Sequence, residues 1–466
     1  MTATSPTIAD RICSVIMLTL VALELVYQLF GPAWIEPAVR VTAIALVFAV
    51  IPRFGLREWA MSGIACALAI ALALRPDGWQ LLGQAVGKGA FFAAFILSMM
   101  LLRQAAMTSA SVLAVGTWIT LQPPGRRFYA TWFGGHVAGI LLNFGAVSLL
   151  APLIQRGVRA GQGEGPEEAK RVAILERRQL SALIRGFSPV IAWAPTTLTQ
   201  VIILASVPGL DPVNAIAMGL GLSGVMLVIA RVEDRLRWGR PKPTGQAPVF
   251  PKRAGLDLLF VYSLLVGGAL SVQAFVDGAL PVALMTIAPV ILVGWVIVQA
   301  RLGTLGKVTA FARLREIALV SVPINARDAF LLGTAGFIGI TAAELAPVDD
   351  MATWIAQTGV PSWMIVASIP VIITLGGQVA LSPMVMVVFL AAVVQALPAL
   401  PAPPEIIALS LAAGWALSMT AAPNSTGAIL VAGASAVSTF TITWRWNGVY
   451  SLMVLLTLVG LAWIIV

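Results

Sequence analysis

Ala194-Pro195-Thr196-Thr197-Leu198-Thr199-Gln200 and Ala422-Pro423-Asn424-Ser425-Thr426 decide the fold of this chain. Each sets a proline and a run of small polar side chains inside otherwise apolar sequence, one toward the middle of the chain and one near its end. Proline lacks the N–H that a helix needs and its ring collides with the preceding turn, so each stretch is expected to interrupt a helix. In a bilayer, backbone freed in this way survives only where protein or a water-filled cavity satisfies it. Two such breaks therefore point to a membrane protein of two related halves, with a binding site at mid-depth where the breaks meet.

Composition fixes the surroundings of these breaks. Of 466 residues, 59% are hydrophobic and 11% charged, with a mean hydropathy of +0.94; soluble domains carry about 25% charged residues. Apolar runs such as Leu256 to Val272 and Val282 to Val298 approach the roughly 20 residues that cross hydrocarbon as a helix. They show none of the alternation of a membrane β-barrel strand. The fold class is an all-α integral membrane protein with roughly 11–14 transmembrane or re-entrant segments. Spans are expected near 12–30, 38–52, 60–74, 89–121 (broken), 132–155, 181–207, 212–230, 255–275, 279–300, 317–343, 361–397 (broken), 404–420, 423–443 and 447–466. The first, with Arg11 ahead of an apolar run to Phe30, reads as an uncleaved span, because a signal peptide has a shorter apolar core.

The net charge of +9 comes from basic clusters between spans. One surrounds Arg156 to Arg185, one fills Arg231 to Arg253, and one runs from Arg301 to Arg315. The positive-inside rule places all three in the cytoplasm, at the plasma (inner) membrane, and explains them without a nucleic-acid partner. Connections bearing Asp211, Asp277, and Glu344 with Asp349-Asp350 belong on the opposite face. Cys13 and Cys66 stand far apart in apolar segments and imply neither a disulfide framework nor a metal cluster.

Internal similarity divides the chain. Gly134-Gly135-His136-Val137-Ala138 resembles Gly376-Gly377-Gln378-Val379-Ala380, and each is followed by an interruption, Asn143-Phe144-Gly145 in one case and Ser382-Pro383 in the other. The order is the same twice: a Gly-Gly segment, an interruption, a connecting segment, then the proline break. The stretch from Arg231 to Lys252, with Pro241, Pro243, Pro248 and Pro251, reads as an extended linker between halves. The expected organisation is N-terminal helices over 1–80, a first repeat over 81–230, a basic linker over 231–254, connecting helices over 255–316 and a second repeat over 317–466. The charge pattern favours two inverted repeats with helical hairpins and broken helices.

With these features in order from Gly89 onward, the chain resembles the ion transporter superfamily, most nearly its divalent anion:sodium symporter family. In that family a hairpin tip with a Ser-Asn-Thr signature precedes a helix broken at a Thr-Pro-Pro-Asn-Ala-type motif and a final span. Here Ser382-Pro383-Met384 holds the tip position, Ala421-Ala422-Pro423-Asn424-Ser425 the break, and Asn447 to Val466 the last span; Asn143-Phe144-Gly145 and Ala194-Pro195-Thr196-Thr197 are their counterparts in the first repeat. The resemblance implies secondary transport of a small-molecule anion by an elevator-type homodimer, with sodium or a proton as coupling ion and no cofactor or metal. It implies substrate contacts at Asn143, Gly145, Thr196, Thr197, Ser382, Pro383, Asn424, Ser425 and Thr426. Cation or proton binding falls to Asn143, Ser382, Pro195, Pro423 and the single histidine, His136. Neither Ser-Asn-Thr signature is intact, which points away from a C4-dicarboxylate and toward a less polar or larger organic anion with a carboxylate or sulfonate.

Each residue also has a plainer reading. Asn143 and Ser382 can join helices by hydrogen bonds, and His136 can be a hydrogen-bonded interface residue. Four polar side chains at Thr196, Thr197, Thr199 and Gln200 exceed what one packing contact needs and suit an aqueous path. Arg103 and the Arg327-Asp328 pair are ionisable at or near membrane depth, which marks function by default unless the arginines snorkel to the headgroups. No His-Glu-x-x-His, Gly-x-Ser-x-Gly or P-loop occurs, so the chain reads as no enzyme. A non-transporting subunit, or a lipid-modifying enzyme using Asp349 and Asp350, are the rival readings.

Overall fold

The computed structural model describes residues 6–159, 165–239, 247–276 and 279–466. The described residues are helical with no strand, and ten of their helical stretches are long and apolar enough to cross a membrane. The protein is an all-α integral membrane protein. In chain order, α1 (Ile8–Phe30), α2 (Ile35–Val50), α3 (Leu56–Ala73) and α4 (Gly78–Met107) are followed by α5 (Ala110–Thr120), α6 (Pro124–Leu142), α7 (Gly145–Arg159), α8 (Pro166–Phe187), α9 (Leu198–Ser206) and α10 (Pro212–Trp238). The later chain forms α11 (Lys252–Val276), α12 (Leu280–Arg301), α13 (Ala310–Glu316), α14 (Val322–Ile324) and α15 (Ala326–Leu345). It continues through α16 (Val348–Gln357), α17 (Ser362–Gln378), α18 (Pro383–Gln395), α19 (Pro404–Ala421), α20 (Thr426–Ser435) and α21 (Gly448–Ile465). Two π turns, Ile317–Ser321 and Thr441–Trp446, interrupt the α-helical run.

These elements form two compact units, Met1–Ala110 with Leu256–Ala346, and Ser111–Gly255 with Pro347–Val466. Each unit takes one segment from the chain up to Gly255 and one from the chain after it. In the first unit α4 is the central helix, buried from Gly89 to Ala106 on most faces and packed against α1, α2, α12 and α15. Polar contacts fix its helix directions. Arg327 at the start of α15 pairs with Glu58 at the start of α3 at 2.7 Å, and Arg75 after α3 donates to the Glu344 carbonyl at the end of α15 at 2.6 Å. Hence α3 and α15 run parallel, and α4, which turns back after α3, runs against both. The last turn of α4 meets α12, where Gln299 Nε2 donates to the Ala105 carbonyl at 2.9 Å. The first half of the chain thus leaves this unit, after α4, at the end where α3 begins, and the second half leaves it, after α15, at the end where α3 finishes.

In the second unit α19 is the central helix, buried almost continuously from Leu411 to Ala422 and packed by α17, α10 and α21. Small residues make this possible: Ala412, Ala413, Gly414 and Ala416 let neighbouring backbones approach, as membrane helices favour.

Several boundaries differ from those read in the sequence. The broken segments 89–121 and 361–397 are interrupted at Thr108–Ser109 and at Val379–Ser382. The segment 132–155 is two helices, and the first begins earlier, at Pro124, because Pro123 and Pro124 suit a helix N-terminus that needs no N–H there. Glu167 and Glu168, inside the first basic cluster, open α8, which is continuous to Phe187. Asp349 and Asp350, expected in a loop, open α16, where acidic side chains complement the helix dipole. Arg231 to Trp238, expected in the linker, is the end of α10, kept helical by ion pairs described below. Arg240, Pro241, Lys242, Pro243 and Asp277 lie outside the described residues.

The α6–α8 contact is the tightest test of this packing. A Cβ on Gly186 would fall on the Trp132 backbone, and one on Gly135 would lie 2.7 Å from the Leu183 carbonyl oxygen. Gly186→Ala is expected to force the helices apart at a cost of about 1–3 kcal/mol, seen as a lower thermal unfolding midpoint in detergent. Gly221→Ala, whose Cβ meets nothing within 4 Å, is expected to leave the midpoint unchanged or higher.

Candidate functional site

Two hairpins and two broken helices in the second unit hold the substrate and cation residues expected from sequence, whereas Arg103, Arg327 and Asp328 lie in the first unit. The first hairpin is α6 and α7, turning at Asn143. Asn143 has φ +50° and ψ −130°, positive-φ backbone that L residues avoid. Its N–H donates to the Gly139 carbonyl at 2.8 Å and its carbonyl accepts from Ala146 N at 3.0 Å, so one residue reverses the chain. Gly145 is buried at the start of α7.

The second hairpin is α17 and α18, turning over Val379 to Ser382. Ala380 has φ +64°, again a positive φ on a non-glycine residue, and Leu381 N–H donates to the Gly376 carbonyl at 3.0 Å, closing the end of α17. Ser382 stands at the N-cap of α18 without capping it by its side chain, and Pro383 takes the first helical position. Both tips therefore hold a non-glycine residue at positive φ. Sequence reading found the tips through their polar residues and missed Ala380, which carries no chemical signal.

The first break separates α8, with its 3-10 extension Ser188–Ala192, from α9. Freed carbonyls are met by the local polar side chains: Thr197 Oγ1 donates to Ala194 O at 2.8 Å, Gln200 Nε2 to Ala192 O at 2.6 Å, and Thr196 Oγ1 to Ile140 O at 2.8 Å. The last bond ties the break to the first hairpin, one turn before its tip. Pro195 is half-buried between them.

The second break separates α19 from α20, with Ala422 extended at φ −94° and ψ 125°. Pro423 and Ser425 are buried; Ser425 Oγ donates to Met419 O at 3.0 Å and accepts from Ala428 N at 3.2 Å, capping α20. Gln378 Nε2, beside the second tip, donates to Ala421 O at 3.1 Å. Each break is thus tied to the hairpin of its own half. Between halves, the second arm of each hairpin packs on the short helix after the other half's break, α7 on α20 and α18 on α9. Asn424 is exposed, Asn143, Ser382 and Thr426 are half-buried, and among the described residues none of these four side chains makes a hydrogen bond. No hydrogen bond joins one tip to the other among the described residues.

His136 is buried on α6, stacked between Trp132 at 4.8 Å and Trp193 at 5.6 Å. An indole N–H only donates, so Trp193 Nε1, 3.1 Å away, makes His136 Nε2 the acceptor; Nδ1 then carries the proton and donates to Gly186 O at 2.9 Å. Both nitrogens are engaged in tying α6 to α8 and to the first break, and any proton traffic would require one of these bonds to open.

The feature that sequence reading missed is a buried charge network. Arg185, 3% exposed, donates to Glu233 at 2.7 Å, to Asn447 Oδ1 at 2.7 Å and to Trp446 O at 3.0 Å, and lies 4.6 Å over the Tyr450 ring. Arg237 also reaches Glu233, at 2.9 Å, and Trp446 O, at 3.2 Å. Arg178 grips Asp234 through two bonds of 3.0 and 2.8 Å, joined by Arg231 at 2.8 Å. Arg177 donates to Arg445 O at 2.6 Å. Arg177, Arg178, Arg185, Arg231 and Arg237 therefore have a structural role as well: they neutralise Glu233 and Asp234 and bind the carbonyls left by the π turn. The available clue was Glu233-Asp234 set among arginines at helical spacing. No group of three or more metal-ligating side chains occurs among the described residues.

No protein-family profile matches the chain. No curated protein sequence matches it either. Its fold is similar to that of two solved membrane-transporter structures. The YdaH transporter of Alcanivorax borkumensis aligns over 87% of this chain and 97% of its own, with TM-score 0.57 and 16% identity. MtrF of Neisseria gonorrhoeae, from a class of antimetabolite efflux pumps, aligns over 88% and 94%, with TM-score 0.55 and 12% identity. At these identities the likeness is one of fold.

Removing one member of the buried network should be costly. Arg185→Met leaves Glu233 buried with Arg237 alone and strips Asn447 and Trp446 O of a donor, an expected loss of about 3–5 kcal/mol. The double variant Arg185→Met/Glu233→Met is expected to lose less than the sum of the singles in a thermal-unfolding double-mutant cycle.

Proposed function

We propose that this chain is a secondary active transporter of an organic anion of the carboxylate or sulfonate class, working by elevator-type alternating access with sodium or a proton as coupling ion. The observation that carries the reading is the paired construction of the second unit: two hairpins turning through strained, non-glycine residues and two helices broken at prolines, each break bonded to its own hairpin. Irregular backbone of this kind at membrane depth belongs where a site is built. The exit of the two halves of the chain from opposite ends of the first unit supports inversion of the repeats. The fold shared with a transporter and with an antimetabolite efflux pump supports transport over a subunit or enzyme role.

The chemistry of the site supports an anion. Once backbone demands are met, the amides of Asn143 and Asn424 and the hydroxyls of Ser382 and Thr426 remain without partners among the described residues, and all can donate to a carboxylate or sulfonate. The N-termini of α9 and α20 follow the two breaks, adding backbone N–H groups and dipole ends that favour negative charge. Carbonyls at the same breaks are candidate cation ligands, which favours sodium, since a proton on His136 would displace an existing bond. The location proposed is the cell inner membrane, with the basic helix ends and linker in the cytoplasm and a homodimer as the working form.

Thermal-shift screening against mono- and dicarboxylates and sulfonates, in sodium or choline and at two pH values, is expected to show stabilisation by one anion class, larger with sodium; a ligand at a hundred times its Kd adds about 2.7 kcal/mol. With that anion, proteoliposome flux is expected to vanish in Asn143→Ala and Asn424→Ala while insertion persists. Asn143→Gly, which suits the positive φ, is expected to fail equally, because the amide is lost. Wild-type flux in both asparagine variants, or no anion effect in the screen, would overturn the assignment.

A further inference from the structure

The first unit contains a cleft that the transport reading does not use. Helices α2 and α3 are joined at one end through the 3-10 turn Ile51–Arg53, yet each packs on α4 and α15. Between them lies a cavity of about 290 Å³. Its walls include Ile44 and Val47 of α2, Ala65 and Ala69 of α3, Ala93 of α4 and Phe337 of α15. At its floor α4 and α15 approach backbone to backbone: a Cβ on Gly89 would lie 3.0 Å from the Gly333 carbonyl oxygen.

The lining carries no charge, and its polar side chains are Ser62, Cys66 and Thr334. A cavity so lined gives water too few partners; apolar cavities of about 150 Å³ stay dry and take apolar ligands. The cleft also opens toward the bilayer. Ile44 and Cys66 are exposed although they line it, and α2 and α3 turn Val41, Phe48, Ile64 and Ile70 outward on either side.

A cation stands at one end. Arg40 lies one turn before Ala43 and Ile44 on α2, and its guanidinium reaches α4 beside Gly83, one turn before Val86 of the cavity wall. Glu36 holds one side of that guanidinium, while its Nε is buried and makes no hydrogen bond. A dry hydrocarbon slot open to the bilayer and ending at an arginine complements an amphiphile with an anionic head. We propose that the cleft holds one acyl chain of a membrane phospholipid, whose phosphate is bound at Arg40. The chain would fill the space that α2 and α3 leave and brace the two helices against α4 and α15.

The test uses the full chain reconstituted into phosphatidylglycerol/phosphatidylethanolamine vesicles, re-extracted in mild detergent and weighed by native mass spectrometry. One tightly retained phospholipid per protomer is expected. Ala69→Trp, which fills the slot, should reduce retention about tenfold; Ile70→Trp, the neighbouring outward-facing position, should not. Arg40→Gln should weaken phosphatidylglycerol retention. In wild-type protein, N-ethylmaleimide should alkylate Cys66 faster after delipidation than after phosphatidylglycerol is restored. Wild-type retention by Ala69→Trp, or Cys66 reactivity indifferent to lipid, would overturn the proposal. So would efficient Cys66–Cys66 disulfide formation between protomers in vesicles, which would show that a second copy covers the cleft.

Discussion

Backbone that leaves a helix inside a bilayer must find partners within the protein, and the second unit is organised around that demand. Five polar side chains near the breaks are spent on it. Thr196, Thr197 and Gln200 serve the carbonyls of Ile140, Ala194 and Ala192; Ser425 and Gln378 serve those of Met419 and Ala421. At the π turn, Asn447 serves Ile442 O and Arg185 and Arg237 share Trp446 O. The clustering of threonine, serine and glutamine around proline has this structural cause before any functional one.

That demand sharpens the site. A polar residue already bonded to freed backbone can touch a ligand only with its remaining valence, whereas Asn143, Ser382, Asn424 and Thr426 keep theirs whole. The two halves are also chemically unequal. The first break buries all of its polar side chains, while the second leaves Asn424 exposed; the first tip offers an amide, the second a hydroxyl. The frame is pseudo-symmetric, but the donors it offers are unequal.

The helical class, the tips and the breaks were legible because each depends on local chemistry: long apolar runs, prolines without an N–H, polar residues interrupting an apolar segment. The division into compact units was not legible, because it pairs segments more than a hundred residues apart, such as Glu58 with Arg327. Nor was the role of Arg185. In sequence it is one more basic residue near a loop; only the fold of α8 against α10 places it on Glu233 and away from solvent. Charge patterns report where a chain meets water, and they mislead where an arginine is matched by a carboxylate from another helix. Ala380 was silent for the opposite reason, since its positive φ is imposed by the hairpin and its side chain signals nothing.

The same network explains how a site drawn from two halves can keep its geometry. Arg177, Arg185 and Arg237 belong to the first half of the chain, and the carbonyls of Arg445 and Trp446 and the amide of Asn447 belong to the second. The hairpin arms cross in the same sense, α7 onto α20 and α18 onto α9. A buried charge pair is a poor source of net stability, but it is unforgiving of displacement, since separating its members leaves a charge unpaired. The pairs themselves lock α8 to α10 within the first half, and the hydrogen bonds of Arg177, Arg185 and Arg237 to the Arg445 and Trp446 carbonyls and the Asn447 amide tie that locked pair to the second half. The second unit can then keep the two tips and two breaks in register as a single body, as the proposed site, drawn from both halves, requires.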